Sequence, residues 1–250
     1  MSKRIISIGA LALGSAAALA VGTGSLAGAS SPSASTPPTL QQIQAKAGAA
    51  ISQRVSALNT AVAKVDAAKN LGSDQAGLVT YLQRDIAPLG TLGQKIEGDT
   101  TVSQAEADYV DIFEDYRVYA LVLPAADLAG RADAITVSAL PALTAFSSQA
   151  QSKVTPTNQP TLQPMIDTLN GDISGATNAS SGVASTVMSE TPYDWNQNHS
   201  LLDPAKASVS TAEGDTKSAR NEVQQIRQFL QQSHPAVTKQ APATTPTTAS

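Results

Sequence analysis

The sequence contains no cysteine, which excludes disulfides, thiolate metal sites, thiol nucleophiles and the lipidated cysteine of a bacterial lipoprotein. Stability must then come from burial. Histidine is almost as scarce, with only His199 and His234 present. The residues three positions before them are Asn196 and Gln231, so neither supplies the Glu-x-x-His spacing from which ferritin-like bundles build di-iron sites. Phosphate-cradling glycine loops, zinc-protease signatures and serine nucleophile elbows are also missing. The chain therefore reads as a non-enzyme without a cofactor. Carboxylates converging from separate helices are the one catalytic arrangement left open.

Basic charge is also in deficit. The chain opens with Lys3 and Arg4, continues through an apolar run from Ile5 to Val21, and reaches small residues at Ala27, Gly28 and Ala29. That order predicts a secretory signal peptide over residues 1–29, cleaved between Ala29 and Ser30. The alternative is an uncleaved anchor, since the run approaches the roughly 20 residues of a membrane-spanning helix. Gly9, Gly14, Gly22 and Gly24 argue against it by interrupting the segment. No later stretch is apolar enough to span a membrane, so the processed chain is expected to be soluble, extracellular or in the cell envelope. Removing Lys3 and Arg4 from the 16 basic residues leaves 14 against 20 acidic ones, a net charge of −6. This disfavours nucleic acid as a partner, because its binding depends on neutralising phosphates.

Residues 30–38 and 234–250 are rich in Pro, Thr, Ala and Ser, a composition too poor in apolar surface to offset chain entropy. Both are expected to be disordered, flanking one folded unit over 39–233.

Within that unit, strand-like alternation is rare and apolar residues recur at steps of three and four. The fold expected is all-α, an elongated antiparallel bundle of about five long helices. Ile51, Val55, Leu58, Val62 and Val65 mark a first helix from about residue 40 to 70, ended by Leu71-Gly72-Ser73. Leu78, Leu82, Ile86, Leu89 and Ile96 mark a second, bent near Pro88. Ser103 and Glu106 have capping-box spacing for a third, which passes through Tyr109, Phe113 and Tyr116 to kinks at Pro124 and Pro141. Leu162, Ile166, Leu169, Ile173, Ala176, Ser180, Val183 and Val187 form the next stripe. A polar connection over 191–200 follows. Asp203-Pro204 predicts the start of the last helix, with a seam of Leu202, Ala205, Val209, Ala212, Thr216, Ala219, Val223, Ile226 and Leu230. Sustained heptads with small seam residues predict closely approaching helices about 45 Å long.

Three groups of residues could carry function. Asp108, Asp111 and Asp115 share a helix face, which reads as a solvated surface or, with ligands from a second helix, as a weak divalent-cation site. Aromatics make up only 4% of the chain, so their clusters draw notice. Tyr109, Tyr116 and Tyr119 gather with Phe113 beside Arg117, as core filling or as a ligand pocket in which Arg117 clamps an anion. Tyr193 and Trp195, with His199, precede the last helix as a plug on the bundle end or as a contact surface for a partner.

The run Tyr116-Arg117-Val118-Tyr119-Ala120-Leu121-Val122-Leu123-Pro124, followed by Ala132-Asp133, resembles a segment of a family of uncharacterised secreted helical proteins of actinobacteria. The Tyr193-Asp194-Trp195-Asn196 stretch before an Ala-rich helix resembles the same family. The resemblance implies export and a helical bundle, with no established activity. It also singles out Arg117, Tyr119, Pro124 and Asp133 for testing. The leading functional expectation is a non-catalytic scaffold or binding module whose partner is an envelope protein or a second copy of itself. A small-ligand carrier using Tyr109, Tyr116, Arg117 and Tyr119 is the alternative.

Overall fold

The computed structural model describes residues 37–233, and every regular element among them is helical. The expected signal segment, most of the leader and the tail lie outside the described residues.

Helix α1 spans Leu40–Ala67. Thr39 starts it with a reciprocal capping box, in which the Gln42 amide donates to Thr39 Oγ1 and the Thr39 amide donates to Gln42 Oε1. Two otherwise orphaned amides are thereby satisfied. A tight turn at Gly72–Asp74 leads into α2, Gln75–Gln83. Gly72 has φ +56°, and a Cβ there would lie 2.6 Å from Val137 Cγ1, so both the backbone and the available space call for glycine.

Helices α3 (Ile86–Gly98), α4 (Val102–Glu114), α5 (Leu123–Asp133) and α6 (Leu140–Gln151) follow. Helix α4 begins two residues earlier than Ser103 and Glu106 suggest. Thr101, in extended conformation, accepts from the Gln104 amide, so the earlier of two overlapping Thr/Ser-x-x-Gln/Glu patterns sets the start. Then come α7 (Gln159–Ser180), α8 (Val183–Ser189), the short α9 (Pro192–Gln197) and α10 (Asp203–Ser233).

The distortions expected near Pro88, Pro124 and Pro141 all lie on the N-terminal side of each ring. A proline ring clashes with the carbonyl four residues back, and those residues are Arg84, Ala120 and Val137. The second rod breaks between α2 and α3 at Arg84 and Asp85. The other two prolines follow π-helical turns at Val118–Val122 and Ala134–Ala139, where the wider i→i+5 turn accommodates the extra crowding. The chain from Val118 to Gln151 thus continues as one rod. The third predicted helix, by contrast, ends at Glu114, so Tyr116 lies outside it.

The core has two parts. In the head, α1–α5, α8 and the start of α10 enclose Leu58, Leu78, Leu82, Ile112, Leu121 and Leu202, among others. In the stem, α6, α7 and the remainder of α10 bury Leu143, Leu162, Ile166, Leu169, Val223 and Ile226. Ile135, Leu140, Ala176 and Ala212 join the two. Full burial of each Leu or Ile contributes roughly 1.5–3 kcal/mol.

Helices α7 and α10 approach so closely that a Cβ on Gly175 would collide with the Asp215 carboxylate. The α7 register of four- and three-residue steps persists into α8 across Gly182, whose φ of +73° interrupts the helix while Val183 and Val187 stay buried. Arg131 of α5 ties head to α10 through a two-point contact with Glu213, at 2.9 and 2.8 Å.

Candidate functional site

The chain leaves α4 at Glu114 and must turn before the long rod begins at Val118. No glycine is available there. Arg117 takes the left-handed conformation instead, with φ 44°, and is the single non-glycine residue with positive φ among those described. Its carbonyl accepts from the amides of Leu121 and Val122 at 2.7 and 3.2 Å, opening the next rod. Such a backbone costs about 1–2 kcal/mol and persists where the surroundings enforce it.

Those surroundings include α9. Thr191 caps α9 through a reciprocal box with Asp194, and Pro192 occupies the first helical position, where no amide is needed. Residues 191–200 are therefore a helical turn with short flanks, rather than the plain connection expected from their polarity. Tyr193 and Trp195 are two positions apart and so point to opposite sides of α9. Trp195 is half-buried against the head core, 5.8 Å from the His199 ring, whereas Tyr193 is 71% exposed. Asn196, between these faces, accepts from Arg117 Nε at 2.6 Å and donates to the Glu114 carbonyl at 3.2 Å. The two groups of residues singled out in the sequence on either side of position 150 thus meet at one corner of the head.

The tyrosines do not line a single cavity. Tyr109 packs edge-on against Phe113, ring centroids 5.1 Å apart. Tyr119 is 46% exposed. Tyr116 faces the other way, into an open groove of about 510 Å³ with Pro88, Thr91, Leu92 and Lys95, where burial pushes its hydroxyl up. Arg117 is taken up by Asn196. The cation among the aromatic rings is Arg54 of α1, 8% exposed, with its guanidinium 4.4 Å from the Phe113 centroid and 5.3 Å from that of Tyr119. The apolar stripe through Val55 hides Arg54, although Val55 is only partly buried and Arg54 is the interior residue. The buried seam of α1 is Ala47, Ile51, Arg54, Leu58, Ala61 and Val65, a heptad in which Arg54 is the one charged member; tracing that register finds it.

The acidic face of α4 is not simply solvated. Asp108 is buried in the α3–α4 interface and accepts from Lys95 Nζ at 2.9 Å, so the protein itself supplies the cation. That hydrogen bond raises the Lys95 pKa. Asp111 is raised by burial, with Asp115 and Asp108 adding repulsion. Among the described residues no group of three or more His, Cys, Asp or Glu side chains is arranged to hold a metal ion.

Asp133 sits at the end of α5, 6% exposed, with Oδ2 buried and unpartnered. Burial, reinforced by Asp74, pushes its carboxyl up to about 6. Desolvation penalises the charged form, and no donor offsets it.

No described helix is long and apolar enough to cross a membrane. Compared with known proteins, the chain matches no family model, no curated protein and no solved structure, so its function must be read from its own side chains.

Proposed function

We propose that this chain is a non-catalytic helical-bundle protein, exported to the cell envelope or beyond, that acts as a scaffold or binding module through the α4–α9 corner of its head. The observation that carries this reading is the Arg117–Asn196 hydrogen bond. It holds a left-handed non-glycine backbone in place and fixes α9 so that Tyr193 stands 71% exposed beside it. Rigid, exposed tyrosine next to arginine is the composition that dominates binding energy in protein interfaces. Backbone strain at such a point is retained where geometry matters. The partner is an envelope protein or a second copy of the chain.

The test is retention of purified protein on envelope fractions, read alongside sedimentation. The wild type is expected to be retained or to self-associate, and Tyr193→Ser, which removes an exposed ring and leaves the core intact, is expected to lose that behaviour. Equal retention and sedimentation of both proteins would contradict the proposal.

A further inference from the structure

Exposed Lys95 pairs with Asp108, and half-buried Arg131 pairs with Glu213 and Asp127. Arg54 is the one buried cation among the described residues, and no carboxylate pairs with it. More than nine-tenths buried, it donates from Nη1 to the carbonyl of Ala50 in its own helix at 2.9 Å. A guanidinium carries five N–H donors in a planar fork, and among the described residues no other hydrogen bond or ion pair engages the rest. Its electrostatic neighbours are the hydroxyls of Tyr119 and Tyr109, with no acidic group among them. Burial lowers its pKa, as expected for a desolvated cation lacking a counter-ion.

The guanidinium carbon lies over the Phe113 and Tyr119 rings, and ring carbons offer its N–H groups no oxygen acceptor. An unpaired buried charge carries an uncompensated desolvation cost, and cation–π contact with two rings offsets only part of it. The arrangement is therefore short of one anion.

We propose that Arg54, beside the rings of Phe113 and Tyr119, binds the carboxylate of a small organic acid whose aromatic or apolar body rests on the exposed part of Tyr119. The planar fork matches two carboxylate oxygens. Tyr119, 46% exposed, forms the solvent side of the site. A dianionic phosphate is a poorer fit, because the helix that supplies Tyr109 and Phe113 also carries Glu106, Asp108, Asp111 and Glu114, and repulsion grows with ligand charge. This inference goes beyond the scaffold reading: it concerns a small molecule held by Arg54 and does not depend on the Tyr193 surface.

The test uses the full chain labelled for arginine Nε–H detection by NMR, titrated with benzoate, with benzamide as the neutral isostere and inorganic phosphate as the dianionic control. Benzoate is expected to shift the Arg54 Nε–H resonance saturably, and benzamide to bind at least about tenfold more weakly, equivalent to about 1.4 kcal/mol. Tyr119→Ala, at a half-exposed position, should weaken benzoate with the helical circular dichroism unchanged. Arg54→Met should abolish it. Absence of a saturable shift, equal binding of benzamide, phosphate binding as tight as benzoate, or an unaffected Tyr119→Ala variant would each overturn the proposal.

Discussion

The stem and the head are built from the same kind of helix and behave as different materials. In the stem, α7 and α10 lie along each other with one heptad register each, and nearly every seam position is apolar or alanine. In the head, the chain is broken at Arg84, turned at Arg117 through a left-handed residue, widened by π turns and made to bury Arg54, Asp108 and Asp133. Regular packing stores stability cheaply. Irregular packing costs stability, and the residues capable of recognition collect where it is found.

Substitutions at four positions can break or sharpen that contrast. The largest effect is expected at the stem core: Ile166→Ala leaves a cavity at a fully buried position and should cost about 2–5 kcal/mol in chemical denaturation. If the stem rather than the head holds most of the stability, hydrogen exchange should accelerate in α6, α7 and α10 together.

Next is Asp133. Its folded-state pKa of about 6 exceeds the ordinary 3.8, so the folded protein binds the proton more tightly than the unfolded chain. Its contribution is most favourable below about pH 4, is lost progressively as pH rises toward 6, and stays lost above. Asp133→Asn should flatten that part of the stability profile and raise stability at pH 7.5 by up to about 3 kcal/mol. An unchanged profile would mean that the head does not bury this carboxyl.

Arg117→Ala should cost about 1–2 kcal/mol by removing the bond to Asn196 while leaving the backbone strained. Arg117→Gly should cost less, because glycine adopts positive φ freely. Thermal melts of the two variants check the order. The smallest effect belongs to the one polar residue of the α10 seam that has no partner. Thr216 is 3% exposed and its hydroxyl is unbonded, so Thr216→Val should stabilise by about 1 kcal/mol.

The stem was legible from the sequence because repetition is legible. The seam read from Leu202 to Leu230 is buried at every position through Ile226, and Leu230 is partly buried against the stem core. The head was read in outline. Pro88, Pro124 and Pro141 announced distortions, but their rings act on carbonyls four residues upstream, so the breaks lie earlier than the prolines themselves. Arg117 was singled out as an anion clamp, whereas a turn lacking any glycine gave no local sign that it would be left-handed and bonded to Asn196, 79 residues away. Arg54 occupies a heptad position that composition marks as polar, and only the register of its neighbours reveals it as interior. Long-range pairing of polar groups has no periodicity, which is why the corner of the head emerged only from the fold.

The contrast between head and stem is tested most directly by placing a photo-crosslinking residue at position 193 on α9 or at the exposed position 217 on the stem face of α10, in cells that express the full chain. The account predicts a discrete adduct from position 193, lost when Asn196 is changed to Ala, and none from position 217. Adducts from 217 alone, or from both positions with no dependence on Asn196, would contradict it.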